Sequence, residues 1–199
     1  FVSNWFGLND VYKELKQPFY FFGDPHFLYK KRIIPELVDV ITSNPNAVLF
    51  TDLNYALQVS LEEKLESIQK YFLQVDLETL AWEGNFHADI LNPLYWARSV
   101  VIDFCIPVAI FMGFKKIYLI GCDCDYNNGG FQKSYFYDLD SLPKSDRDNL
   151  KKLEKKDPPS AFMYTFERSF SAVREYTEKN GIIVQNATHG GKLEVFQRV

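Results

Sequence analysis

Apolar positions along the chain follow two rhythms. Short unbroken runs read as buried strands, and longer stretches with apolar residues three or four apart read as helices packed on one face. Asn9 to Gln17 predicts a short helix that ends before Pro18. Pro18-Phe19-Tyr20-Phe21-Phe22 predicts an aromatic strand, stopping at Gly23-Asp24-Pro25-His26. Phe27, Leu28, Ile33, Ile34, Leu37, Val38 and Ile41 recur at helical intervals up to the break at Ser43-Asn44-Pro45-Asn46. Ala47-Val48-Leu49-Phe50 then predicts a buried strand. Leu57, Leu61, Leu65 and Ile68 predict one helix over Asn54 to Ile68, followed by a strand at Tyr71-Phe72-Leu73-Gln74-Val75.

Asp76 to Leu94 has no clear period and reads as irregular. Tyr95 to Met112 predicts a long helix that feeds into a buried strand from Lys116 to Gly121. Asp138 to Pro159, rich in Asp, Lys, Ser and Pro, reads as a mobile surface excursion or lid. Phe162, Phe166, Phe170, Val173 and Tyr176 mark the apolar stripe of a last helix over Phe162 to Lys179, ended by Asn180-Gly181. Ile182-Ile183-Val184 is the final strand, and Asn186-Ala187-Thr188-His189-Gly190-Gly191 opens the loop beyond it. Strands alternating with helices, without strict period-two patterning, predict one three-layer α/β domain over residues 1–199 with a mainly parallel sheet.

In such sheets ligands bind beyond the carboxyl ends of the strands. That expectation puts a cleft at the loops after Phe22, Gly121 and Gln185, with Asp24, Asp123 and Asn186 on one edge. A doubly wound, Rossmann-like fold supplies its Gly-rich phosphate loop from the first strand, and no G-x-G loop is present. Phe1-Val2-Ser3-Asn4 already resembles a strand end. The sheet therefore reads as lacking its first strand, and a Gly-rich loop upstream of Phe1 is expected.

Composition narrows the class. Apolar residues make up 47%, which excludes disorder, and aromatics reach 17%, the texture of sugar- or nucleobase-binding clefts. The net charge of −4 excludes broad electrostatic binding of nucleic acid. Cys105, Cys122 and Cys124 have no framework spacing, so reduced thiols of a cytoplasmic protein are expected and no metal is assigned. The apolar run Val100–Phe114 carries Asp103 and Pro107 and is shorter than the ~20 residues a bilayer requires.

The run Gly113-Phe114-Lys115-Lys116-Ile117-Tyr118-Leu119-Ile120-Gly121-Cys122-Asp123 resembles the central motif of bacterial family 42 sialyltransferases. It also resembles the 6-hydroxymethylpterin diphosphokinase-like proteins of lipopolysaccharide and capsule synthesis. Ser3-Asn4-Trp5-Phe6, Phe21-Phe22-Gly23-Asp24-Pro25 and the ending Gly181–Phe196 agree in order. The resemblance implies a cytoplasmic glycosyltransferase of bacterial surface polysaccharide, with a CMP-sugar donor, a glycan acceptor and no obligatory metal. Peripheral association with the inner membrane would fit that work. By position, Asn4 and Asp24 would line the nucleotide site. Arg98, followed by Ser99, would match an Arg near the start of the long helix. Tyr126 and either Tyr135 or Tyr137 would stabilise the departing phosphate. The chain differs from the family in Val100-Val101 after Ser99 and in having no His between Asn92 and Thr188.

Residue by residue, other roles stand beside these. Asp123 fits a ligand hydroxyl, a metal or a turn cap, and Tyr126 a phosphate donor or cleft packing. His189 lies where a base could reach the cleft; His26 and His87 have no stronger claim. Two alternatives remain. One is an ATP-dependent diphosphokinase with Mg²⁺ on Asp123 and Asp125. The other is a non-catalytic domain that binds carbohydrate or a partner.

Overall fold

The computed structural model describes residues 1–23, 28–29, 32–122, 124 and 159–199. Its strands, in chain order, are β1 (Val2–Ser3), β2 (Phe19–Phe22), β3 (Leu28–Tyr29), β4 (Arg32–Ile33), β5 (Val48–Asp52), β6 (Gln69–Leu73), β7 (Val75–Leu80), β8 (Leu94–Trp96), β9 (Lys116–Leu119) and β10 (Ile183–Asn186). The α-helices are α1 (Val11–Glu14), α2 (Pro35–Thr42), α3 (Ala56–Ser60), α4 (Ile106–Phe111) and α5 (Pro159–Lys179). Short 3₁₀ turns and one π-helical turn, Val101–Cys105, fill several junctions.

Four strands form a sheet in the order β1-β2-β5-β6, every neighbouring pair parallel. Alternation sends Tyr20, Phe22 and Leu49 to one face, where they pack with Leu37, Val38 and Ile41 of α2 and with Tyr12, Val59 and Leu65. Asn44 ties this layer together by donating to the carbonyls of Tyr12 and Leu15, each at 2.8 Å. Phe21, Val48, Phe50 and Leu73 face the other way, onto Leu94, Phe104 and Val108. Both faces of the sheet are covered, as a parallel sheet requires.

Rings cross that second face in a row. Phe21, Phe50 and Tyr71 are register partners, stacked with centroids 4.8 and 5.0 Å apart. Phe1 stacks on Phe21 at 5.4 Å and meets Phe114 edge-on at 5.9 Å. The last contact brings together the residues that precede β1 and β9. β9 and β10 form their own parallel pair, on which α5 seats Phe166, Phe170 and Val173. Ile102 and Ile106 join that cluster while Phe104 and Val108 join the sheet core. The stretch Val101–Phe111 therefore packs against two cores at once.

Several elements differ from their expected form. Residues 27–41 are not one helix: β3 and β4 pair antiparallel, and α2 starts only at Pro35. Proline disfavours a helical residue before it, and Ile34 is extended, with φ −64° and ψ 132°. The expected helix over 54–68 breaks into a 3₁₀ turn at Leu53–Tyr55, α3, and a second 3₁₀ turn at Glu63–Leu65. Asp52 and Glu62 cap these two turns separately, so Leu57 and Leu61 are exposed while Leu65 and Ile68 are buried. The segment read as irregular holds all but the first residue of β7 and runs into β8, with which β7 pairs in parallel. The long helix from Tyr95 does not form, because residues 94–96 are strand and Arg98 has φ 59°. β9 is shorter than expected and half-covered: Leu119 is buried under α5, but Lys116, Tyr118 and Ile120 are exposed. Of the expected lid, only Pro159 lies among the described residues, where it opens α5.

Candidate functional site

The carboxyl ends of the parallel strands gather polar groups in unusual backbone states. β1 runs directly into Asn4, which takes φ 50°. Its Oδ1 is buried without a hydrogen-bond partner among the described residues, and the Tyr20 hydroxyl donates to its carbonyl. β2 runs into Gly23, whose carbonyl accepts the Tyr55 hydroxyl at 3.2 Å. A Cβ on Gly23 would stand 2.2 Å from the Phe104 ring, so the close seating of the π-helical turn requires glycine there.

β5 ends in Thr51 and Asp52. The Thr51 hydroxyl is fully buried and has no hydrogen-bond partner among the described residues. Asp52 is buried too, and one carboxylate oxygen accepts the backbone and side-chain N–H groups of Asn54, each at 2.8 Å. Burial raises its pKa, and the Asn54 bonds pull it down only in part.

β8 ends at Trp96, followed by Ala97, Arg98 and Ser99. The Arg98 guanidinium carbon lies 5.9 Å from the Trp96 ring centroid, within cation–π range. Asp103 underpins this turn: its two oxygens accept the N–H groups of Ala97 at 2.6 Å and Ser99 at 3.1 Å. Burial pushes its carboxyl up to about 8, against the pull of those two bonds, and Asp52 nearby adds to the rise. The turn sits on π-helical backbone, a form concentrated at functional sites.

Among the described residues, the non-glycine positions with left-handed φ are Asn4, Arg98 and Cys124. All three follow strand carboxyl ends. Such conformations persist where the surrounding fold over-determines them, and they cluster at binding sites.

The β9–β10 ends are knitted to each other. The Thr188 hydroxyl accepts the Cys122 N–H at 3.0 Å, and Ala187 N–H donates to Leu119 O at 2.8 Å. Asn186 is buried with its amide engaged internally, donating to Leu193 O and accepting from Thr188 N–H. Its side chain therefore helps build the loop. His189 is exposed on that loop, which Arg198 clamps by donating to the carbonyls of Thr188, Gly190 and Gly191 while pairing with Glu194. His87 is occupied with Pro93 O and Asp89 N–H and packs edge-on to Tyr95.

Of the residues singled out in the sequence, Asn4 follows β1, Arg98 and Ser99 lie just beyond β8, Asn186 is the last residue of β10 and His189 is on the loop after it. Asp24, His26, Asp123, Asp125, Tyr126, Tyr135 and Tyr137 lie outside the described residues. Asp52, Tyr55, Phe104 and Asp103 are contributors that the sequence did not single out. Asp52-Leu53-Asn54 after an apolar run is an Asx-turn signal. A lone Asp in the apolar stretch Val100–Phe114 was the signal for Asp103. Among the described residues no group of three or more His, Cys, Asp or Glu could hold a metal ion, and no helix is long and apolar enough to cross a membrane. The chain is matched by no family model, no curated protein and no solved structure.

Proposed function

We propose that this chain is a glycosyltransferase of bacterial surface polysaccharide synthesis that takes a nucleotide-activated sugar, a CMP-linked acidic sugar fitting the resemblance best. The observation that carries the reading is the pair Asn4 and Arg98. Both are left-handed residues at parallel-strand carboxyl ends, and both occupy positions that the resemblance gives to the nucleotide site. Anionic ligands of open α/β sheets bind at such ends.

In this reading Arg98 meets the donor phosphate, where a guanidinium can bond in a planar, two-pronged way. Asn4 Oδ1, which has no hydrogen-bond partner among the described residues, accepts an N–H or O–H of the nucleoside. An acceptor hydroxyl attacks the anomeric carbon, and the bond from that carbon to the phosphate oxygen breaks with its electron pair going to the phosphate. Tyr126, with Tyr135 or Tyr137, stabilises that charge, and His189 takes the hydroxyl proton. No metal is called for in this scheme.

The reading includes a Rossmann-like sheet in which β9 and β10 continue beyond β1. It is supported by the outer edge of β1, which pairs with no strand among the described residues, and by the Phe1–Phe114 contact. It also places the protein in the cytoplasm, working at the inner membrane surface.

A calorimetric screen of CMP, UDP and GDP species tests the binding half; absence of binding by all of them defeats it. The chemical half is tested by Tyr126→Phe, which should slow transfer by more than it weakens nucleotide binding. Turnover should survive EDTA. Strict dependence on Mg²⁺ would instead favour diphosphate transfer.

A further inference from the structure

Asp103 accepts two backbone N–H groups on its side chain, and only one of those bonds has an ordinary explanation. Its N–H donates to the Ser99 carbonyl at 2.7 Å, and its carboxylate accepts the Ser99 N–H at 3.1 Å. The first is an ordinary helical bond four residues back, and the second caps an amide at the helix start that has no intrahelical partner. The shorter bond, 2.6 Å to the Ala97 N–H, grips the chain on the far side of Arg98. Helix capping does not call for it.

Between the two gripped amides Arg98 stands at φ 59°, a state that residues with a Cβ rarely take. The carboxyl group doing the gripping is buried. Burying a polar group is costly, and capping alone is served equally well by an exposed Glu. The backbone adds a further constraint, since the π-helical register of Val101–Cys105 sets Asp103 in the turn that follows Arg98. Asp52, at the end of β5, is the charged group facing Asp103 from the sheet, and Cys105 is its titratable neighbour on the same helix.

We propose that Asp103 is a positioning residue: by holding the amides on both sides of Arg98 it keeps that residue in its left-handed turn, with the guanidinium at the strand end where a ligand phosphate would bind. What Arg98 meets rests on the proposed nucleotide reading. The clamp itself does not.

A stability cycle on the full chain separates the clamp from packing. Glycine takes left-handed φ freely, so Arg98→Gly removes what the clamp must enforce. Asp103→Asn keeps the side-chain shape but replaces one accepting oxygen with a donor. Asp103→Asn should raise the unfolding equilibrium constant by a factor at least about fivefold larger in the Arg98 protein than in the Arg98→Gly background. Equal losses in the two backgrounds would overturn the proposal. Should Asp103→Asn fail to fold, the unmutated protein decides by NMR. The Ala97 and Ser99 amide protons should shift together, with the midpoint at which the Asp103 carboxyl carbon titrates; amides indifferent to that titration overturn the clamp.

The last arm measures CMP affinity by calorimetry. Asp103→Asn and Arg98→Ala should each weaken it at least about fivefold, with the double variant no worse than the weaker-binding single. Additive losses would overturn the positioning role. Coupling in stability with no effect of Arg98→Ala on CMP would defeat the nucleotide reading and leave the clamp standing.

Discussion

At the scale of single residues, the site is a set of positions where ordinary preferences are set aside. Gly23 is there because Phe104 leaves no room for a side chain. Gly23→Ala should destabilise by about 1–3 kcal/mol, the usual cost of overpacking, read as a lower denaturant midpoint at constant slope. Thr51 buries a hydroxyl that has no hydrogen-bond partner among the described residues. Thr51→Val should raise stability by about 1 kcal/mol, since the shape is kept and the desolvated hydroxyl is removed. Asp103 gives a pH dependence of definite sign. Its folded-state value of about 8 exceeds the roughly 3.9 of an unfolded aspartate. Between those values the folded protein keeps a proton that the unfolded chain releases, so this group's contribution to stability falls as pH rises from about 4 to about 8 and is lost above that. Asp103→Asn should flatten the denaturation midpoint across that window.

At the scale of elements, the row of rings across the sheet shows how packing fixes the strand ends. Phe50 is stacked on both sides, by Phe21 and Tyr71, so the row depends on it more than on any terminal ring. Phe50→Ala should cost about 3–5 kcal/mol, in the range of buried Phe truncations, whereas Tyr71→Ala, at a half-exposed edge, should cost less; equal costs would argue against the row as a unit. This half of the fold was legible in the sequence because β2 and β5 are dense apolar runs with nothing else to be. The central segments were harder to read. Helical spacing of Leu57, Leu61, Leu65 and Ile68 carries no information about where Asp52 and Glu62 restart the chain. The apolar run after Tyr95 conceals a change from strand to helix, because the break lies in the φ of Arg98 and in no residue type. Asn4 and Arg98 were singled out through resemblance alone. Asp103 and Asp52 were passed over, since a buried carboxylate and a surface one look alike in a sequence.

At the scale of the whole molecule, one short helical stretch joins two packed units. Val101–Phe111 gives Phe104 and Val108 to the four-stranded sheet and Ile102 and Ile106 to the β9–β10 unit. Its start is the Arg98 turn, so the candidate site lies at the junction that holds the two cores together. Ligand binding there should stabilise the protein as a whole, in proportion to the logarithm of ligand concentration once the site is saturated. The most direct test of a nucleotide site at the strand carboxyl ends is amide chemical-shift mapping during a CMP titration. The account predicts saturable shifts concentrated at Asn4, Gly23, Arg98 and Ser99. Shifts confined to α2 and α3, or none at any concentration of CMP, would contradict it.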